Sequence, residues 1–430
     1  MPRVAWMCVL IGLPVAAQVA LVPTPTQLPG TPFAIKKSWI IGGAGSWDYL
    51  AIDTQAQRLY IARGASVQVV DLESGSLAGE IHGFREAHAI ALDDTGAFGF
   101  VSDGLRDAVA VFDRSDLSVE ATIHISCSPR SIAFEPQSKL VFAVCGSANA
   151  SSTPQPGRRA ASDAPRPPAG TSQQTVAGIS HIVAIDTQQK SAIADIAIAG
   201  DARFAQADNA GGVYVTVGEA EQFASRDGAM SRRVARPRIA RFDGPAIAAE
   251  AERLRHATDA APASPVSMDW RENDRRGASA NLMVLPLPAS CVQPQGLAAD
   301  VKNSRLFAAC NNQQLLVLNS GNGQVATTLT TGPGDDVIGY DPERELIYSA
   351  NGAGYGSLTI VQQDANTDSY AVIQNLATLA RARTLAVDSS TGLVYLVTDN
   401  MGVDLTPGAA FGPIKSAPIA GSFQVLVVGR

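Results

Sequence analysis

The chain has 430 residues, of which 46% are hydrophobic, 17% charged and 6% aromatic, and its formal net charge is −7. The apolar content excludes a wholly disordered chain, and the acidic balance disfavours a nucleic-acid binder, which needs a basic surface for the phosphates. After the N-terminal region, no stretch reaches the roughly 18 uncharged apolar residues of a membrane-spanning helix. Because 430 residues exceed an ordinary domain, a repeat architecture is the first one to test.

Residues 1–17 have the pattern of a secretory signal peptide. Arg3 precedes an apolar run over residues 4–15, and small residues occupy the −3 and −1 places before the expected cleavage point. A short apolar run with Pro14 near its end suits a cleaved signal better than the alternative, an uncleaved anchor. We therefore expect a secreted or periplasmic protein without a membrane span after cleavage, and a Pro/Thr-rich leader over residues 18–32.

One pattern recurs seven times in the body of the chain, which we place at residues 33–430. Each copy has a polar residue, a short apolar run ending in an acid, a turn, an aromatic-apolar run and a third apolar run. The acids that close the first runs are Asp53, Asp93, Glu135, Asp208, Asp300, Asp341 and Asp388. Four short strands per copy at roughly 40–45 residues are typical of a propeller blade. The sequence thus predicts an all-β, seven-bladed β-propeller of four-stranded blades forming a single domain.

The last copy has three strands of its own and ends with the apolar run at residues 423–428. Residues 33–43 resemble a fourth strand and precede the first copy. We predict that this N-terminal strand pairs beside residues 423–428 and closes the ring, since closure removes an exposed sheet edge. An open-ended array is the alternative.

Two intervals between successive closing acids, from Glu135 to Asp208 and from Asp208 to Asp300, are longer than the others, and three insertions account for them. Residues 147–178 and 219–236 fall between the second and third strands of the third and fourth blades, so both emerge from one face. The first is too poor in large apolar residues to bury a core. Residues 244–280 follow the third strand of the fourth blade, on the opposite face, and Pro245 marks the start of one short helix. Over residues 219–280 the Arg and acid counts balance, which favours a solvated surface over a phosphate-binding patch.

Four cysteines remain after signal removal, and they occupy matching places in two blades. Cys127 precedes the first strand of the third blade and Cys145 ends its second strand, and Cys291 and Cys310 do the same in the fifth. Because the first two strands are antiparallel neighbours, we predict the disulfides Cys127–Cys145 and Cys291–Cys310. Free thiols or a metal site are the alternatives, and the lack of a CxxC motif or His cluster disfavours zinc.

A polar residue stands five places before each closing acid, at the start of every innermost strand. Equivalent places in a propeller form a ring at the mouth of the central channel. The candidate ligand-binding ring is Asp48, His88, Arg130, Arg203, Gln295, Asp336 and Arg383. Its three arginines suit a small anionic ligand such as a carboxylate or phosphate. Arg63, Asp103 and Asn351, at the ends of second strands, are a candidate outer shell. The alternative is that the ring charges only satisfy one another, as in a pair of Asp336 with Arg383.

The repeat also carries a family resemblance. The second-strand segment VYVTVG (213–218) nearly spells the signature of the YVTN β-propeller family, and residues 47–53, 294–318 and 381–398 resemble stretches typical of it. The chain is similar to an exported, YncE-like member over nearly everything from about residue 40, apart from the insertions. The resemblance implies a seven-bladed propeller, usually periplasmic or surface-associated, and implies little about activity.

These observations favour a non-catalytic, monomeric binding protein whose partner is a small anionic ligand or an envelope protein at the channel-mouth face. A lactonase- or quinoprotein-like enzyme is the alternative, with Asp48, His88, Asp103 and Asp336 around a metal or cofactor. A scaffold acting through the insertions is a third interpretation. We expect no cofactor, no metal and no catalytic residue. A channel calcium ion at residues 332–336 is disfavoured, because adjacent aspartates before a strand more often form turns.

Overall fold

The computed structural model describes residues 31–43, 45–147, 178–226, 229–258, 264–270, 278–279, 281–403 and 416–430. The expected signal peptide, most of the leader and nearly all of the 147–178 insertion lie outside the described residues. Within the described ranges the chain forms 33 β-strands and one α-helix, so the predicted all-β class is confirmed. In this part of the chain no helix is long and apolar enough to cross a membrane.

The N-terminal strand β1 pairs with the last strand of the chain. It lies at the edge of a four-stranded sheet whose order is β1–β33–β30–β29. Ala34 lies opposite Gly429 and Ile40 opposite Gln424, in antiparallel register. The pairing expected between residues 33–43 and 423–428 is therefore present. The strands of this sheet are β1 (Ala34–Ile40), β29 (Leu385–Asp388), β30 (Leu393–Thr398) and β33 (Gln424–Gly429).

The first two copies form one continuous sheet of seven strands, because a single long strand belongs to both. β5 pairs with β4 through its first half and with β6 through its second half. Gly83 lies between the halves with φ +103°, a conformation that glycine adopts without strain. The seven strands are β2 (Leu50–Asp53), β3 (Arg58–Ala62), β4 (Gly64–Asp71), β5 (Leu77–Leu92), β6 (Phe98–Asp103), β7 (Ala108–Asp113) and β8 (Val119–His124).

The third and fourth copies each gain a strand from the 244–280 insertion. The helix predicted there is α1 (Gly244–Thr258), followed by β18, which lies parallel to β12 at the edge of the third sheet. The repeat pattern gave no indication of this strand. The third sheet has the order β18–β12–β11–β10–β9 and the fourth β13–β14–β17–β20–β19. Their strands are β9 (Ser131–Glu135), β10 (Leu140–Cys145), β11 (Ile179–Asp186), β12 (Ser191–Ala199), β13 (Asp201–Ala207), β14 (Gly212–Gly218), β17 (Arg238–Asp243), β18 (Val266–Asp269), β19 (Ala278–Ser279) and β20 (Leu282–Pro286).

The fifth and sixth copies are regular four-stranded sheets in chain order. Their strands are β21 (Pro294–Asp300), β22 (Arg305–Cys310), β23 (Gln314–Asn319), β24 (Val325–Thr330), β25 (Asp335–Asp341), β26 (Leu346–Asn351), β27 (Ser357–Asp364) and β28 (Ser369–Ala377). Two separate hairpins complete the fold. The hairpin of β15 (Ala220–Arg226) and β16 (Ala229–Ala235) lies in the 219–236 insertion, and that of β31 (Met401–Val403) and β32 (Ser416–Pro418) follows β30.

The innermost strands of successive copies lie side by side. β2 neighbours β5, followed by β9, β13, β21, β25 and β29, and β29 in turn neighbours β2. Apolar residues of adjacent sheets pack into shared clusters, one of which joins Leu59 of the first copy to Val397 and Val425 of the last. The acids closing the innermost strands accept backbone N–H groups of the following turn, as Asp53 does from Gln55 and Ala56. These turns fix where each innermost strand ends.

Candidate functional site

β-Bulges place several of the predicted ring residues at the start of their innermost strands. The strand register shifts between Ala202 and Ala205, between Asp335 and Val337, and at the corresponding places in β5 and β21. Each shift spans a ring residue: Arg203, Asp336, His88 or Gln295. A bulge adds a residue to one strand and re-aims its side chain. The bulges therefore let these side chains depart from strict strand alternation.

His88 is held by two carboxylates. Its Nδ1 lies 2.8 Å from Asp48 Oδ2, and its Nε2 lies 3.4 Å from Glu86 Oε2. Burial alone would lower the pKa of His88, but the hydrogen bonds to Asp48 and Glu86 raise it to about 9. The imidazole is therefore a cation at neutral pH, and it is flanked by two anions. Glu86 was missed by the sequence analysis because it stands two residues before the repeat position.

Arg383 bridges two aspartates of the ring. Its Nη1 lies 3.2 Å from Asp336 Oδ2 and its Nη2 lies 3.7 Å from Asp48 Oδ1. Burial raises the pKa of Asp336, and the positive charge of Arg383 opposes that rise. The pair of Asp336 with Arg383 considered from the sequence is therefore formed. Through Asp48 it continues to His88, so residues from four copies share one charged network.

The other two arginines of the ring lie together beside Asp201. Arg203 Nη2 lies 2.8 Å from Asp201 Oδ2, whereas Arg203 Nε is buried and has no hydrogen-bond partner within the described part of the chain. Burial raises the pKa of Asp201, and the nearby charges of Arg203 and Arg130 oppose that rise. Arg130 is exposed, and among the described residues its guanidinium has no hydrogen bond or ion pair. This side of the ring therefore has more donors than acceptors.

Two aromatic side chains meet between these charges. The ring centroids of Tyr49 and Phe204 are 5.4 Å apart at an interplanar angle of 60°, although the residues come from the first and fourth copies. Burial raises the pKa of the Tyr49 hydroxyl, and the carboxylates of Asp336 and Asp48 raise it further. Each aromatic residue directly follows a ring residue. The sequence contains that adjacency, but nothing in it shows that the two rings touch.

The remaining predicted residues lie outside this network. Gln295 accepts a hydrogen bond from Thr216 Oγ1 at 2.8 Å through its backbone carbonyl. Arg63 is buried over the Phe423 ring, 3.6 Å from its centroid, and burial lowers its pKa to about 10. Asp103 accepts two backbone hydrogen bonds beside β5. Arg63, Asp103 and Asn351, the predicted outer shell, thus serve three separate local structures.

Asn351 belongs to a buried polar cluster in the sixth copy, beside the ring. Ser349 Oγ lies 3.1 Å from Asp335 Oδ1 and 3.0 Å from Asn351 Oδ1, and Thr331 Oγ1 donates to Asp335 Oδ2. Asn351 Nδ2 donates to Thr359 Oγ1 at 2.9 Å, so its Oδ1 is the acceptor facing Ser349. A serine hydroxyl has one proton and cannot donate to both oxygens. Every polar group of the cluster has a hydrogen-bond partner when Asp335 is protonated and its O–H donates a hydrogen bond to Ser349 Oγ.

Both predicted disulfides are confirmed. The Cα atoms are 6.0 Å apart for Cys127 and Cys145, and 5.1 Å apart for Cys291 and Cys310. Each bond ties the segment before an innermost strand to the end of the second strand. Two such pairs are consistent with a non-cytosolic protein.

Removing the second disulfide by Cys291→Ala with Cys310→Ala is expected to lower the unfolding free energy by about 3 kcal/mol, because an open loop regains chain entropy in the unfolded state. Urea unfolding of the oxidised variant and the oxidised wild type measures the loss. The same comparison under reducing conditions, where neither protein has a disulfide, measures the packing of the Cys291 and Cys310 sulfur atoms alone. An unchanged midpoint of the oxidised variant would contradict the prediction.

Among the residues that the structure describes, no group of three or more His, Cys, Asp or Glu side chains is arranged to hold a metal ion. Asp48 and Asp336 lie on either side of the Arg383 guanidinium. His88 reaches Asp48 and Glu86, while Asp103 faces a different cleft. Of the four residues considered for a metal or cofactor, Asp103 therefore lies apart, and the Arg383 guanidinium lies between the carboxylates of Asp48 and Asp336.

The sequence matches no model of a known protein family and no curated protein. The structure is similar to the solved structures described as "Crystal structure of RRP9 WD40 repeats" and "Structure of U3-55K". The first has a TM-score of 0.55 at 8% identity and covers 83% of this chain and 88% of that chain. The second has a TM-score of 0.57 at 8% identity and covers 91% of this chain and 97% of that chain. The likeness at this identity concerns the fold, and the chain has the fold of a β-propeller.

Proposed function

We propose that the protein is an exported, non-catalytic β-propeller whose channel mouth binds a ligand that presents a carboxylate. The observation that carries this proposal is the surplus of donors beside Asp201. Among the described residues the Arg130 guanidinium makes no hydrogen bond or ion pair, and Arg203 Nε is buried without a hydrogen-bond acceptor. A carboxylate accepts from two donors at once and is the natural complement of paired guanidinium groups.

The shape of the channel mouth also supports a binding role. Tyr49 and Phe204 touch across the centre and provide an apolar floor, and the charged side chains stand around it. An apolar surface with a few convergent polar groups is the usual composition of a ligand site. The other ring charges neutralise each other, so selectivity for an anion falls to Arg130 and Arg203.

The architecture that we infer is a seven-bladed propeller of the YVTN, YncE-like type, closed by the N-terminal strand. Its support is the series of seven neighbouring innermost strands that returns to β2, the β1–β33 pairing and the repeat motif. Export is supported by the two disulfides and the N-terminal sequence pattern. The likeness to WD40 propellers suggests an interaction scaffold, which favours a protein partner as the source of the carboxylate. A small molecule is the other source. The geometry gives less support to the enzymatic alternative, because Arg383 already pairs with the carboxylates of Asp48 and Asp336, and Asp103 lies in a different cleft.

The test is calorimetric titration of the oxidised protein with citrate and with a hexaglutamate peptide. Arg130→Gln and Arg203→Gln are each expected to weaken binding by about tenfold, since each removes a charge-assisted hydrogen bond. Arg253→Gln is the matched control, because Arg253 lies on helix α1 in the insertion predicted on the opposite face and pairs with Glu250. Tighter binding of the peptide indicates a protein partner, and tighter binding of citrate a small molecule. Equal binding by all variants contradicts the proposal.

A further inference from the structure

A second cleft lies away from the channel-mouth ring, between the parts of the sheet that belong to the first and second copies. One wall is the middle of β5 at Gly83 and Phe84, and the opposite wall is formed by β7 and β8. Its volume is about 180 Å³. None of the ring residues lines it, so a ligand here would contact residues other than those of the proposed channel-mouth site.

The cleft exists because its walls carry small residues. Ala108 and Ala110 of β7 face it, and a Cβ atom built on Gly83 would meet nothing within 4 Å. Phe84 is 8% exposed and forms the apolar base, while Val119 at the edge is 40% exposed. The walls at Gly83, Phe84 and the two alanines are therefore apolar, whereas His82, Asp103 and Arg106 bring polar groups to the same cleft. An engineered cavity of about 150 Å³ holds benzene, so this cleft is large enough for a branched aliphatic group such as a leucine side chain.

Asp103 and Arg106, two polar residues of the cleft, differ in how many of their hydrogen-bonding atoms are already occupied. Asp103 Oδ2 accepts the Arg85 backbone N–H and Oδ1 accepts that of Glu86, both at 2.9 Å. Arg106 Nε lies 3.6 Å from Asp103, and the Arg106 guanidinium makes no hydrogen bond within the described residues. Arg106 is 42% exposed. The carboxylate is thus already engaged, whereas the guanidinium keeps donors for an incoming acceptor.

We propose that this cleft binds an aliphatic carboxylate, with its branched hydrocarbon between Phe84 and the two alanines and its carboxylate on Arg106. The same chemistry is offered by a free short-chain acid and by the C-terminal leucine of a peptide. Thr122, whose exposed side chain lines the open side on β8, gives a second place at which the cleft can be filled.

The probe is 4-methylpentanoate, titrated into oxidised protein labelled at the alanine methyl groups and followed by NMR. Shifts are expected for the methyl groups of Ala108 and Ala110, and 4-methylpentanamide should bind more weakly because it lacks the charge. Arg106→Gln should weaken binding by about tenfold, the size of one charge-assisted hydrogen bond. Arg85→Gln is the charge control, since the Arg85 side chain is exposed and does not line the cleft.

Filling the cleft gives an independent test. Thr122→Phe is expected to abolish binding and to leave the thermal midpoint unchanged, because the residue is exposed on a strand that tolerates aromatic side chains. Thr328→Phe is the matched control, as Thr328 is exposed in the corresponding strand β24 of the fifth copy. If the alanine methyl signals do not change at about 20 mM 4-methylpentanoate, the proposal is overturned, because an affinity weaker than that is too low for a ligand-binding site. Equal affinities in the wild type and Arg106→Gln, or equal losses in the two phenylalanine variants, overturn it as well.

A peptide arm separates the two sources. Ala-Ala-Leu with a free C-terminus should bind more tightly than 4-methylpentanoate if the natural ligand is a protein C-terminus, and more weakly if it is a free acid. Both results support the cleft, and the C-terminally amidated peptide should lose affinity in either case. Because Arg130 and Arg203 do not line this cleft, failure here leaves the channel-mouth proposal standing, and the reverse also holds.

Discussion

Replacing Asp335 by asparagine is expected to remove a large part of the pH dependence of folding between about pH 4 and pH 7. Burial raises the pKa of Asp335 to about 7, against the opposing hydrogen bonds from Thr331 and Ser349. The pKa of an aspartate in the unfolded chain is about 3.9. Over this window the folded state holds a proton that the unfolded state has lost, so the stability that Asp335 contributes is fully present below about pH 4 and is lost as the pH rises to 7. A difference of about three pKa units corresponds to a loss on the order of 4 kcal/mol.

The hydrogen-bond arrangement supports the same protonation state independently. When Asp335 is protonated, its O–H donates a hydrogen bond to Ser349 Oγ and the Ser349 O–H donates one to Asn351 Oδ1, so each acceptor is satisfied. With Asp335 ionised, Ser349 turns toward it and the buried Asn351 oxygen loses its donor. No cation contacts Asp335 among the described residues, so a buried charge would also stand uncompensated. Asparagine has the shape of the protonated acid and can donate to Ser349 without titrating.

The measurement is the urea midpoint of wild type and Asp335→Asn from pH 4.5 to pH 8. The wild-type midpoint should fall steadily to pH 7, and the variant midpoint should fall clearly less, with the remaining slope due to groups such as Asp201 and Asp336, whose pKa values burial also raises. Asp364→Asn is the control, because turn hydrogen bonds from Thr367 lower the pKa of the exposed Asp364 and its titration is over above pH 4.5. Above pH 7 both proteins should continue to lose stability, since the raised pKa of His88 adds stability that disappears as the pH rises from about 6.5 to 9. Parallel wild-type and Asp335→Asn curves below pH 7 would show that Asp335 is ionised in the folded protein.

The repeat pattern could predict the strands and both disulfides because equivalent positions in different copies share one local environment. The spacing of Cys127 from Cys145 repeats in the fifth copy, and antiparallel neighbours bring such positions together without knowledge of the whole fold. The same equivalence selects Asp48, His88 and Arg383 as matching positions, but of their contacts only the pair of Arg383 with Asp336 was named from the sequence.

Features that depend on contacts between distant copies could not be predicted in this way. The contact of Tyr49 with Phe204 depends on the width of the channel and on the bulge at residues 203–204. Strand β18 leaves its own copy to cover the edge of another sheet, and a four-residue strand carries too little local signal to reveal its partner. The cleft beside Arg106 arises from alanines and a glycine, which look the same in a sequence whether or not space lies above them.

Phe33→Ala is expected to destabilise the protein by about 3–5 kcal/mol, the usual cost of truncating a buried phenylalanine. Phe33 is 4% exposed, its ring lies 6.0 Å from that of Tyr348 in the sixth copy, and its backbone exchanges two hydrogen bonds with the Gln374 side chain. The residue thus anchors β1 to a neighbouring sheet as well as to β33. Ile40→Ala is the control at the other end of the strand, because Ile40 is 75% exposed and should change stability by less than about 0.5 kcal/mol.

Deleting residues 31–40 is expected to cost more than Phe33→Ala, because it also removes the backbone ladder along β33. The apolar strand β33, which is buried between β1 and β30, would then present unpaired N–H and C=O groups at a sheet edge. Such an edge is a template for another chain, so the truncated protein should form dimers or aggregates at concentrations where the full chain does not. Light scattering and urea unfolding of the two chains side by side measure both effects.

If β1 is the strand that closes the ring, a peptide of residues 31–43 added in trans should restore the unfolding midpoint, whereas the same peptide with alanine for Phe33 should restore it poorly. A truncated protein that stays monomeric and unfolds at the wild-type midpoint would show that the last sheet is stable with three strands and that β1 contributes nothing to closure.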